Sequence, residues 1–90
     1  MSALKYSLAM ARAGLATTYE VVVAELLHRS GPHTMREVAR GAGVNPARAT
    51  GIVDRLEAKG LVERAANFND RRSVKVALTR KGRSLIRRAG

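Results

Sequence analysis

The side chains of this chain best suited to chemistry are cations, and they are concentrated toward one end. From Arg71 onward the last twenty residues hold eight basic groups (Arg71, Arg72, Lys75, Arg80, Lys81, Arg83, Arg87, Arg88) and no acid. Residues 1–44 carry 5 basic and 3 acidic side chains and residues 45–90 carry 12 and 4, so the net charge of +10 divides into +2 and +8. A one-ended positive field is the electrostatic footprint of a phosphate-backbone binder; the bland alternative is a solubilising tail. The aromatics, Tyr6, Tyr19 and Phe68, are too few for the stacking platforms of single-strand and RNA modules, which favours duplex DNA as the partner. Catalytic chemistry finds little support. His28 sits before a helix stop and His33 in a turn, neither in a metal-ligand pattern, the seven carboxylates are scattered over capping and surface positions, and no phosphate-binding glycine loop is present. The absence of cysteine removes thiolate nucleophiles, disulfides and Cys-based zinc sites and fits a reducing cytoplasm. The expectation is therefore a non-enzyme with no cofactor and no metal.

The elements that must position these cations read as a small, mainly α domain. Leu4, Leu8, Ala11 and Leu15 mark an apolar stripe on an N-terminal helix over residues 1–16. Thr17 and Glu20 have capping-box spacing at the start of a second helix that runs through Val22, Val23, Leu26 and Leu27 to Ser30-Gly31-Pro32. Thr34 and Glu37 repeat the device and open a short helix from Met35 to Ala42, which Gly43 ends. Asn45 as N-cap and Pro46 at the first helical position start the next helix at once, and two helices joined around a glycine are a helix-turn-helix signature. On that second helix, residues 45–59, the apolar face is Ala49, Ile52, Val53 and Leu56; opposite lie Ala47, Thr50, Gly51 and Asp54, flanked by Arg48 and Arg55. Small outward residues permit the close approach that a helix needs in a major groove, and an ordinary solvated face would more often carry long Glu and Lys side chains. Residues 61–65 and 73–78 read as strands, with Val74, Val76 and Leu78 on one face and a polar, basic connection at 66–72 between them. A helix-turn-helix followed by a hairpin with a basic tip is a winged helix.

The run from Val53 to Arg64 (VDRLEAKGLVER), then Asp70 to Thr79 (DRRSVKVALT), then Lys81-Gly82, resembles the MarR-type winged-helix transcriptional regulators over residues 17–86. The resemblance implies a helix 45–59 lying in the major groove, which makes Asn45, Ala47, Arg48, Thr50 and Gly51 candidate DNA contacts; Arg55, which flanks the same outward face, is a further candidate. It also implies a wing at 66–72 whose Arg72 reaches the minor groove, with Arg71 and Lys75 adding charge and Asp70 orienting the basic groups around it. Thr34 and Arg36, at the start of the preceding helix, are candidate phosphate contacts. The sequence departs from the family pattern in two places. Gly51 stands where a larger polar or basic residue is usual, which shifts weight toward shape readout. Only about ten residues follow the Leu78-Thr79 segment, where the family usually has a long dimerisation helix.

The whole is expected to be one domain: a candidate dimerising helix at 1–16, a winged-helix core at 17–79 and a basic segment at 80–90. No membrane span or signal peptide is read, so the expected location is the cytoplasm, associated with the nucleoid. The leading expectation is a sequence-specific, double-stranded-DNA-binding repressor, homodimeric through residues 2–16, with a small-molecule effector left open. Two other readings stand beside it: a truncated winged helix that pairs with a larger regulator, and a non-specific chromosomal DNA-binding protein.

Overall fold

The computed structural model describes residues 18–66 and 74–89. In order these form α1 (Thr18–Ser30), β1 (His33–Thr34), α2 (Met35–Ala42), α3 (Pro46–Ala58), β2 (Val62–Ala66), β3 (Val74–Leu78) and α4 (Arg80–Ala89). The expected helix at 1–16, the Thr17 half of the first capping box, and the wing residues Asp70, Arg71 and Arg72 lie outside the described residues.

Local chemistry sets the helix boundaries. At α2 the Thr34 hydroxyl accepts from the Glu37 amide at 3.2 Å, and the Glu37 carboxylate accepts from the Thr34 amide at 2.8 Å. Two backbone donors that the helix itself cannot satisfy are thereby paired. At α3 the Asn45 side chain accepts from the Arg48 amide at 2.8 Å, and Pro46 occupies the first turn, where its missing N–H costs nothing. The bend between α2 and α3 is made at Gly43, whose φ of +70° is a left-handed conformation that a Cβ would disfavour. Its amide donates to the Arg40 carbonyl and the Val44 amide to that of Ala39, closing the last turn of α2.

The three helices α1, α2 and α3 pack around a shared apolar centre. Val23, Ala24 and Leu27 meet Val38 and Ala39 of α2 and Ala49, Ile52, Val53 and Leu56 of α3, all buried. Ala39 and Ala49 are small, which lets the helix-turn-helix pair cross closely. The sheet closes the core from one side with Val62, Val76 and Leu78, and Ile86 of α4 completes it. Fully burying one such Val, Leu or Ile side chain stabilises the fold by about 1.5–3 kcal/mol.

The inner face of α1 is Val21, Val23, Ala24 and Leu27, with Val22 36% exposed. The sheet differs from expectation. β2 begins one residue later than expected, β3 is described from Val74, and the two belong to a three-stranded antiparallel sheet ordered β1-β3-β2. The added strand pairs His33 with Val76 and Thr34 with Lys75; two residues are too few to show a period. Val76 and Leu78 face the core as expected, but Val74 is 44% exposed, at the end of the sheet that leads into residues 67–73.

The start of α4 presses on the turn that follows α3. A Cβ at Gly82 would lie 2.2 Å from the Leu61 carbonyl oxygen, so no larger residue fits without displacement. Thr79 caps α4 by accepting from the Gly82 amide at 3.0 Å, and its hydroxyl donates to the Gly60 carbonyl at 2.7 Å. The Thr79 amide also reaches the Leu61 carbonyl at 3.0 Å. The C-terminal end of α3, the root of β2 and the head of α4 are thus one hydrogen-bonded joint.

Candidate nucleic-acid interface

The outward side of α3 has two charged edges and a nearly bare crest. Side chains three, four or seven residues apart share an edge of a helix, so Arg48, Arg55 and Lys59 line one side, and Thr50, Asp54 and Glu57 the other. The crest between them carries Ala47, Gly51 and Ala58. Ala47 and Ala58 are exposed, and the nearest heavy atom to a Cβ built at Gly51 is Arg55 Nη1, at 3.9 Å.

Each edge is tied to a different element. On the cationic edge, Arg48 lies over the ring of Tyr19 of α1, with its guanidinium carbon 4.6 Å from the centroid. Glu20 of α1 is fully buried and accepts from Lys59 Nζ at 2.9 Å, with Arg55 Nε 4.0 Å from the same oxygen. A buried carboxylate is costly unless its charge is matched, and Lys59 and Arg55 contribute to that match. Lys59 is itself anchored, its carbonyl accepting from Lys81 Nζ at 3.0 Å. On the anionic edge the fork of Arg64, from β2, donates to Asp54 Oδ1 at 2.7 Å and to Glu57 Oε1. The hydrogen bond to Asp54 is the main reason that the Arg64 pKa is raised above its ordinary value.

The residues singled out from the sequence therefore have different standings in space. Ala47 and Gly51 form the crest, with Arg55 beside them and its side chain 52% exposed. Arg48 shares the cationic edge and is stacked on Tyr19. Asn45 spends its carbonyl oxygen on the cap of α3, and the Thr50 hydroxyl donates to the Pro46 carbonyl at 3.0 Å. Thr34 is the N-cap of α2, and Arg36 is exposed in the first turn of that helix. Lys75 lies in β3, between Thr34 of β1 and Ala65 of β2 in the sheet register. Asp70, Arg71 and Arg72 belong to residues 67–73, outside the described region. At the head of α2 the Glu37 pKa is lowered, chiefly by its hydrogen bonds from the Thr34 backbone and hydroxyl and further by His33.

The sequence model of the MarR family matches residues 17–74, more than half of the chain. The chain belongs to the MarR family. Among its MarR relatives, the transcriptional repressor Rv2887 of Mycobacterium tuberculosis is 36% identical over 83 residues, 92% of this chain and 59% of that protein. The repressor NicR of Pseudomonas putida is 36% identical over 70 residues, 78% of this chain and 44% of NicR. Among solved structures, the transcriptional regulator Tm0710 of Thermotoga maritima superposes with a TM-score of 0.88 at 28% identity, over 96% of this chain and 60% of that one. This MarR chain thus spans less than two-thirds of each of these relatives, and the match in shape is to their winged-helix portion.

Four residues that hold α3 of this MarR-family chain do not stand out in the sequence: Tyr19, Glu20, Lys59 and Arg64. Local spacing reads Glu20 as half of a capping box and gives Lys59 no partner. Their pairing spans 39 positions, which no local spacing reveals. Arg64 lies 7 and 10 residues from its two acids, across the turn at Gly60, and only a strand folded back beside α3 brings the three together. A cavity of about 170 Å³ is lined by residues of α1, β3 and α4, including Leu27, His28 and Arg83. It is smaller than the roughly 300–1,000 Å³ of common small-molecule sites, so no effector is assigned to it. Among the described residues no group of three His, Asp or Glu side chains is placed to hold a metal ion, and no helix is long and apolar enough to cross a membrane.

Proposed function

We propose that this chain is the DNA-reading unit of a sequence-specific transcriptional repressor, laying α3 in the major groove of duplex DNA and the wing at 66–72 in the neighbouring minor groove. The observation that carries this is the form of α3: a crest of Ala47 and Gly51 with no bulk to hold a groove at a distance, and Arg55 exposed beside it. A groove-reading helix needs close approach first and cations at its edges second. The repressor names of the relatives and the +8 charge of residues 45–90 support the same reading. Arg48 and Thr50 on α3, and Thr34, Arg36, Asn45 and Lys75 around it, are supporting contacts, with Arg71 and Arg72 acting from the wing and Asp70 orienting them. The protein works as a homodimer, with residues 2–16 contributing to its interface, and acts in the cytoplasm on the nucleoid. It has no catalytic role and needs no cofactor.

The bare crest also favours a second reading, a chromosomal protein that grips phosphates without reading bases, because Ala47 and Gly51 offer no hydrogen bonds to base edges. Selection from a library of random duplexes separates the two. Enrichment of an inverted repeat with half-sites about one DNA turn, roughly 34 Å, apart supports the dimeric repressor. Retention of all sequences alike supports the second reading, and failure to retain duplex DNA at all refutes both.

A further inference from the structure

The charges on α3 itself cancel: Arg48 and Arg55 stand against Asp54 and Glu57. A helix meant to lie among phosphates gains nothing from such a balance, and its two carboxylates sit on an exposed edge where they would face the backbone of a bound duplex. Arg64 changes that. Its fork spans both acids, one nitrogen to each, and its side chain is only 27% exposed, against 59% and 44% for Asp54 and Glu57. The arginine is the more enclosed member of the trio, so it is poorly placed to reach past the acids to a phosphate of its own. We propose that Arg64 is a positioning and charge-masking residue for DNA binding: it makes no contact with DNA, neutralises Asp54 and Glu57 so that α3 presents its cations, and ties the root of β2 to α3.

This inference rests on the reading of α3 as the groove helix, and the test keeps the two apart. The full chain and three variants (Arg64→Met, Asp54→Asn with Glu57→Gln, and all three changes together) are titrated against the fluorescent pool of random duplexes of about 30 base pairs, roughly three DNA turns, and against whatever sequences the parent enriches from it. Thermal melting run in parallel confirms that each is folded. Unmasking two like charges beside phosphate is expected to weaken binding by Arg64→Met roughly tenfold. The triple variant, which has nothing left to mask, is expected to recover to within about twofold of the parent, and the acid-neutral pair to bind at least as tightly as the parent. Arg64→Lys, which keeps the charge but not the fork, is expected to fall between the parent and Arg64→Met, and it serves as the single variant if methionine unfolds the chain. A triple variant as weak as Arg64→Met would overturn the inference by making Arg64 a direct phosphate contact. Equal binding by Arg64→Met and the parent would overturn it by removing the masking. Failure of the parent itself to bind would refute the groove-helix reading, and the inference with it.

Discussion

Gly51→Ala separates what α3 needs for folding from what it needs for its partner. Glycine inside a helix is about 0.8–1.0 kcal/mol less favourable than alanine, through backbone entropy. The methyl group introduced would meet Arg55 Nη1 at 3.9 Å, ordinary van der Waals contact, and no other heavy atom nearer. Nothing offsets the propensity gain, so the variant is expected to be more stable by about 0.7–1 kcal/mol, a rise in melting temperature of roughly 3–8 °C for a domain of this size. The same methyl projects from the crest toward a bound groove. DNA affinity is therefore expected to fall, roughly tenfold or about 1.4 kcal/mol, although the protein is more stable. Circular-dichroism melting and fluorescence titration on the same preparations give both numbers. A lower melting temperature would show that Gly51 has a structural duty that its open surroundings do not reveal. Unchanged affinity would show that the crest does not enter the groove.

Three further perturbations test the supports of α3. Gly82→Ala forces a Cβ against the Leu61 carbonyl and is expected to cost about 2–3 kcal/mol in urea unfolding; a loss below about 0.5 kcal/mol would deny the close approach of α4. Lys59→Met removes the cation that donates to the buried Glu20 at 2.9 Å and is expected to cost about 2–3 kcal/mol, much of which Glu20→Gln restores in the double variant. Glu37 has a folded-state pKa below its ordinary 4.5, so its contribution is fully present above that value and lost as pH falls through the lowered one. The stability difference between the parent and Glu37→Gln is therefore expected to shrink on acidification below about pH 4.5, and urea midpoints that keep a constant gap down to about pH 3 would refute the capping assignment.

What was legible in the sequence was whatever short-range chemistry decides. Thr34 with Glu37, Asn45 with Pro46, and the glycine at 43 marked helix ends within a residue, because a cap is satisfied by atoms two to four positions away. The inner face of α3 followed from its period, Ala49, Ile52, Val53 and Leu56 all being buried. On α1, which is apolar at consecutive positions, the period does not choose an inner face; the structure buries Val21 and Val23 and leaves Val22 exposed. Among candidate contacts, the open crest at Ala47 and Gly51 was foreseeable from residue size alone. The attachments of its neighbours were not: Arg48 finds Tyr19 on another helix, and Arg64 finds Asp54 and Glu57 only once β2 has turned back alongside α3. Such pairings are products of the tertiary arrangement, and a single sequence gives no period for them.

The joint of Gly60, Leu61, Thr79 and Gly82 and the pairings at both edges of α3 leave positions 47 and 51 with no structural employment. Ala47 and Gly51 hold nothing in place, so they can be exchanged without dismantling the supports around them. Scaffold and lettering are separable in this helix, and a small library at those two positions, built on an otherwise fixed chain, is the natural place to vary the DNA reading proposed for it.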